Sequence, residues 1–260
     1  MPANNRQFSI ALESYLELKE EVSALPPQRK PVSPTMSSVL TRIGPLPREA
    51  LFLGFASDDL PVLLNLFDPV PGPLLVTGDA GSGKTTFLQS IARTLVKTHQ
   101  PNNLQYGVIT SHSDEWNEIG KTSHHVGVFS MKDTGAKDLI LSIASWAHGN
   151  KNPRQSVLLM IDDLEAAAKL DFDTLQNLRW LLSRGPSRRV WPIVAMDADR
   201  YGQVISWIPI FRTRIFARIS NERVAGALGG DKNAALDQFE APNQFSLREN
   251  DAWVRFRLLE

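Results

Sequence analysis

The 260-residue chain contains no cysteine. That removes disulfide frameworks, thiolate nucleophiles and thiolate-held metals together. It also lacks a charge of one sign: 28 basic and 28 acidic side chains give a formal net charge of zero at pH 7. No global electrostatic argument therefore favours nucleic acid or an anionic membrane as a partner. No apolar run approaches the roughly 18 residues that mark a membrane-spanning helix, and the polar stretch 1–7 leads into no signal-like apolar core. The six tryptophans are scattered and form no stacking platform for bases. His99, His112, His124, His125 and His148 lack metal-ligand spacing and read as surface residues. No nucleophilic triad is apparent. These absences describe a soluble, cytoplasmic protein with no direct membrane insertion, whose chemistry falls to carboxylates, hydroxyls, lysine and arginine. Its 42% hydrophobic content suits one sizeable domain with an appendage.

What the chain does have is Gly78-Asp79-Ala80-Gly81-Ser82-Gly83-Lys84-Thr85, followed by Thr86. The apolar run Leu74-Leu75-Val76 before it reads as a buried strand. After it, Phe87, Leu88, Ile91, Ala92, Leu95 and Val96 recur at helical spacing. Strand, glycine-rich loop and helix are the context a phosphate-binding loop requires. The glycines let consecutive N–H groups turn inward around phosphate oxygens, and the helix N-terminus adds partial positive charge. On this reading residues 78–86 hold the phosphates of ATP. Lys84 reaches the β- and γ-phosphates, and the Thr85 hydroxyl is a ligand for Mg²⁺.

Around this motif the pattern divides into three parts. Residues 7–24 form an amphipathic helix with Phe8, Leu12, Tyr15 and Val22 on one side; it either packs on the domain or serves as a docking or oligomerisation helix for a protein partner. Six prolines between 26 and 47 make a linker, so the expected division is 1–25, 26–47 and 48–260. From residue 48 the chain alternates between strands (51–55, 61–67, 74–77, 105–110, 126–130, 156–161, 191–196) and helices (85–97, 137–147, 172–183). Residues 213–219 and 253–259 read as later or edge strands. The fold class is α/β, a mostly parallel sheet with helices on both faces.

A second signal is the apolar run 157–161 ending in Asp162-Asp163. Carboxylates at the end of a buried strand need partners. With a phosphate loop upstream, Asp162 is assigned to Mg²⁺ and Asp163 to the attacking water. The alternative is that they cap the next helix. Glu165 is a substitute base, although its place in that helix should turn it elsewhere. Asp197 follows the strand 191–196 and is placed either to sense the γ-phosphate or simply to make a turn. Between 175 and 230 there are nine arginines, no lysine and three acidic residues. Such a cluster points to an interface or a phosphate contact; any one of its members alone reads as a surface side chain.

Residues 53 to about 259 resemble the FtsK/SpoIIIE branch of the FtsK–HerA ATPases, which includes the ATPase modules of type VII secretion. Leu53-Gly54-Phe55 with the run 60–66 is similar to that family's entry hairpin. Gly72-Pro73-Leu74-Leu75-Val76-Thr77-Gly78 leads into the loop in the family's manner, and Asp162-Asp163 is similar to the secretion-type modules. The resemblance implies a RecA-like, ring-forming ATPase using ATP and Mg²⁺. It implies that Arg184, or Arg188 in second place, is an arginine finger supplied to a neighbouring copy. Catalysis would then rest on Lys84, Asp163 and Arg184. Double-stranded DNA is the candidate polymer, and a homo-oligomer the expected assembly. Energising a secretion machine, or acting as a slowly hydrolysing switch or scaffold, is the alternative. The family commonly has Gln where this chain has Asp197.

Overall fold

The computed structural model describes residues 46–258, apart from 59, 151–153, 231–233, 250 and 251. The helix expected over 7–24 and the linker up to residue 45 lie outside the described residues.

Among the described residues ten strands form one sheet: β1 (Ala50–Ala56), β2 (Pro61–Asn65), β3 (Leu74–Gly78), β4 (Leu104–Thr110), β5 (His125–Ser130), β6 (Ser156–Ile161), β7 (Val190–Asp197), β8 (Thr213–Phe216), β9 (Gln244–Glu249) and β10 (Ala252–Arg257). The described helices are α1 (Lys84–Thr98), α2 (Thr134–Gly149), α3 (Leu164–Ala167), α4 (Phe172–Arg184) and α5 (Glu222–Ala227), with short 3₁₀ turns between elements. The strand order is β2-β1-β10-β9-β8-β3-β7-β6-β4-β5. The run from β8 to β5 is parallel, and the other pairings are antiparallel. The mostly parallel sheet expected from the sequence is therefore present, extended by an antiparallel wing. β10 is an interior strand, not an edge; the edges are β2 and β5.

The alternation of side chains in the central strands explains why helices cover both faces. Leu74 and Val76 of β3, Leu158 and Met160 of β6, and Trp191, Ile193 and Ala195 of β7 point to one face. There they meet Phe87, Leu88, Ile91 and Leu95 of α1. Leu75, Leu159, Ile161, Val194 and Met196 point to the other, against Leu139, Ile140 and Ile143 of α2 and Leu178, Leu181 and Leu182 of α4. Strands buried on both faces read as continuous apolar runs, which is how these appear in the sequence. Each fully buried Leu or Ile contributes about 1.5–3 kcal/mol relative to exposure. Trp191, fully buried, also donates its indole N–H to the Leu66 carbonyl at 3.1 Å, fixing the start of β7 beside the β2–β3 connection.

Local chemistry sets the helix starts. Asp171 Oδ1 accepts from the Thr174 N–H at 3.0 Å and caps α4, and Asn221 caps α5. β8 is shorter than the expected 213–219 strand. Beyond Phe216 the chain bends over the phosphate loop, with the Ala217 N–H on the Thr77 carbonyl (2.8 Å) and the Arg218 carbonyl accepting from Asp79 (2.8 Å). The parallel strands β3, β6 and β7 all end on the same side of the sheet, where open α/β sheets carry their ligands.

Candidate functional site

The loop between β3 and α1 turns on two glycines with positive φ, Gly81 (71°) and Gly83 (97°). Gly83 is the N-cap of α1, and its carbonyl accepts from the Phe87 N–H at 2.8 Å. The loop is braced from both sides. Asp79 donates to Arg218 and accepts from the Ser220 N–H through Oδ2 at 2.8 Å. The turn at Pro242 lies against Gly83. Gly78 sits beneath, where a β-carbon would stand 2.7 Å from that of Ala217. Ser82 is buried, Ala80 and Gly81 are exposed, and Thr86 lies half-buried in the first turn of α1.

Lys84 Nζ donates to the carbonyls of Gly78 (3.1 Å) and Asp79 (2.8 Å) and pairs with Asp197 Oδ1 at 2.6 Å. The Thr85 hydroxyl lies 3.1 and 3.0 Å from Oδ1 and Oδ2 of Asp162. Burial pushes the Asp162 carboxyl up to about 6. The Thr85 hydroxyl opposes the rise, the Glu115 charge adds to it, and the Trp116 indole and Lys84 oppose it. Two hard oxygen donors thus face each other at the loop, a donor set that fits Mg²⁺. Among the described residues no group of three or more His, Cys, Asp or Glu side chains could hold a metal alone. A small divalent cation that keeps waters and takes phosphate oxygens suits this sparse set.

Asp163 is positioned differently. Its Oδ1 accepts from the Ala166 N–H (2.8 Å) and caps α3, while Oδ2 accepts from the Ser111 hydroxyl (2.8 Å). Of the two carboxylates, the capping alternative describes this one. Glu165 is not turned away as expected. It is buried, and its Oε1 accepts from the Asp197 N–H at 2.8 Å, behind the end of β7. Burial, with a contribution from the Asp163 charge, pushes its carboxyl up to about 7 against opposing backbone donation. A raised carboxyl pKa stabilises the fold fully below the unfolded value, and the benefit is lost as pH rises through the folded value. Glu165 therefore costs stability progressively between about pH 4.5 and 7. Glu165→Gln is expected to leave the melting temperature unchanged at pH 4.5 and raise it at pH 8, by an amount equivalent to about 3 kcal/mol. Thermal unfolding of both proteins across that range checks it.

Arg184 ends α4 and is exposed. The chain then turns through 185–189 and enters β7, whose far end carries Asp197. Seven strand steps separate the two ends of β7 by about 23 Å, so Arg184 and Arg188 are not brought to their own chain's phosphate loop. The arginine-rich segment disperses. Arg214 donates to the carbonyls of Phe211, Ile208 and Leu228, Arg189 stacks on Phe67, and Arg179 lies over Trp207. Only Arg200 of this set reaches the site's carboxylates, at 3.8 Å from Asp197. His99 and His124 are buried, contrary to the surface reading, with a His124 Nε2 contact of 2.9 Å to the His99 carbonyl. Ser111, Glu115 and Trp116 were not singled out in the sequence. What would have found them is their place just beyond β4, the strand beside β6.

Comparison with known proteins bears on this arrangement. A NACHT-domain model matches residues 72–194, under half of the chain, from just before β3 into β7. No curated protein matches the sequence. Among solved structures, Thermomonospora curvata EccC (ATPases 2 and 3) in complex with a signal sequence peptide aligns with a TM-score of 0.68 at 19% identity, over 90% of this chain and 44% of that one. EssC (ATPases 2 and 3) from Geobacillus thermodenitrificans aligns with a TM-score of 0.67 at 14% identity, over 90% and 48%. The chain has the P-loop NTPase fold of these ATPases. The pCW3 conjugation coupling protein TcpA, in its monomer form with ATPγS, aligns with a TM-score of 0.58 at 16% identity, over 82% and 66%. The chain spans less than half the length of the EccC and EssC chains. The residues matched by the NACHT-domain model include Lys84, Thr85 and Asp162. No helix among the described residues is long and apolar enough to cross a membrane.

Proposed function

We propose that this chain is an FtsK-like module that binds Mg-ATP and hydrolyses it, working as an oligomer. The carrying observation is the contact of the Thr85 hydroxyl with both oxygens of Asp162, beside a braced glycine loop bearing Lys84. In this reading the loop amides of 78–86 and Lys84 bind the phosphates, and Thr85 and Asp162 hold the cation. Mg²⁺, when bound, neutralises charge shared between the β- and γ-phosphates. Asp163 orients the water from the end of β6, and Arg184 serves a neighbouring copy. Its exposure, on the side of the sheet away from its own loop, supports a role in trans.

Asp163→Ala is expected to keep nucleotide affinity within about twofold and to cut turnover about 100-fold. Loss of the α3 cap adds about 1 kcal/mol of destabilisation. Steady-state ATPase, calorimetry and thermal unfolding measure the three effects. Unchanged turnover would remove Asp163 from its assigned role.

The contacts of Asp163 favour a second reading. With both its oxygens engaged by Ala166 and Ser111, hydrolysis is slow and the module serves as an ATP-dependent switch. Double-stranded DNA is the polymer proposed for a motor, on the resemblance of the sequence to the FtsK branch; a secreted polypeptide is proposed on the likeness to EccC and EssC. ATPase assays with Mg-ATP alone, with double-stranded DNA and with apolar signal-type peptides separate these. A DNA motor shows stimulation by DNA and binding that weakens steeply with salt. A secretion module responds to peptide, and a switch to neither.

A further inference from the structure

The ammonium of Lys84 has three donor positions, and all three are filled by the protein itself. Two go to the carbonyls of Gly78 and Asp79, in the loop. The third goes to Asp197 Oδ1 at 2.6 Å, the shortest of the three contacts. The backbone of Asp197 is held in place. It is paired in register with Gly78 at the end of β7, and its N–H is anchored on the buried Glu165 at 2.8 Å. Arg200, 57% exposed and 3.8 Å away, is its looser second partner. The negative charge of Asp197 thus stands at the cation that a phosphate loop directs toward the terminal phosphates.

We infer that Asp197 is a specificity-determining residue that sets the preference of this site between nucleoside di- and triphosphates, by competing with the γ-phosphate for Lys84. This rests on the nucleotide reading of the loop. A β-phosphate is held chiefly by the loop amides, whose geometry does not involve Asp197, and it can share Lys84. A γ-phosphate depends more on Lys84 and the cation, and it brings further negative charge against a carboxylate already at the ammonium. The Asp at this position therefore biases the site toward the diphosphate. A neutral side chain of the same shape lifts the bias, because it can donate a hydrogen bond where the carboxylate repels.

The test is calorimetric titration of the full chain with Mg-ADP and with a Mg-bound non-hydrolysable ATP analogue, for the wild type, Asp197→Asn and Asp197→Ser. The expected result is a triphosphate Kd about tenfold lower in both variants, the equivalent of about 1.4 kcal/mol, with the diphosphate Kd moving much less. Two results overturn the inference alone: an unchanged ratio of the two Kd values, or weaker triphosphate binding in the variants, which would make Asp197 a γ-phosphate partner. Failure of every protein to bind either nucleotide overturns the phosphate-loop reading and the inference with it. Triphosphate binding seen in the variants and not in the wild type supports both.

Discussion

Lys84→Ala is expected to weaken Mg-ATP binding by about 100-fold or more and to bring turnover to background. Each hydrogen bond from a charged donor contributes about 1.5–3 kcal/mol, and every 1.4 kcal/mol is about a factor of ten in Kd. Lys84 is the ammonium of the loop, and its 12% side-chain exposure means that little water stands ready to replace it. The substitution also has a cost without nucleotide. Asp197, 29% exposed, would keep only Arg200 at 3.8 Å, so a modest loss of stability should accompany the loss of binding. Calorimetry and thermal unfolding measure the two effects separately. The same variant tests the proposed assembly. Mixed with Arg184→Ala protein, it should regain some ATPase activity if copies share sites, because each variant retains what the other lacks. Retained ATP affinity in Lys84→Ala would remove the loop from the nucleotide site.

The phosphate-loop end of this fold was legible in the sequence because it is encoded by contiguous residues. Gly78 to Thr85, with an apolar strand before and a periodic helix after, carries its own context. The run ending at Asp162 repeats the device, and the observed β6 spans the residues expected for it. What was not legible depends on residues far apart in the chain. Glu165 reads as turned elsewhere from its place two residues into the helix after Asp163. In fact α3 is a single turn, and it places Glu165 against the end of β7, 32 residues away in sequence. β9 was missed because Gln244, Ser246, Arg248 and Glu249 read as polar. Its apolar side, with Phe245 and Leu247, packs on the α1 face of the sheet, and Phe245 meets Phe87 with ring centroids 5.1 Å apart. The arginine segment misled in the opposite direction. Density along the sequence suggested one charged surface, but Arg214, Arg189 and Arg179 are spent on carbonyls and rings at separate places. Guanidinium groups satisfied in that way hold loops together and leave fewer donors free for a partner.

Gly83→Ala should be among the most disruptive single-atom changes available in this protein. Two costs coincide there. At φ 97° an L side chain is strained whatever the space around it, a cost of about 1–3 kcal/mol. The added β-carbon would also overlap the Pro242 carbonyl oxygen and stand 2.7 Å from the carbonyl carbon. That turn is poorly placed to yield. The Asn243 N–H bonds to Glu240 at 3.2 Å, the Gln244 N–H to Glu240 at 3.1 Å, and the Asn243 carbonyl receives the Leu258 N–H at 3.0 Å. Gly81 is the matched control: its φ of 71° carries the same kind of strain, but nothing lies within 4 Å of a β-carbon there. Gly81→Ala should therefore cost about 1–2 kcal/mol, and Gly83→Ala about 3 kcal/mol or more, which in a domain of this size lowers the melting temperature by roughly 6–12 °C. Urea and thermal unfolding of the two variants measure the difference, and nucleotide titration should show the loop of Gly83→Ala too distorted to bind. Equal losses in the two variants would mean that the turn at Pro242 moves aside, and the brace on α1 would then be weaker than its contacts indicate.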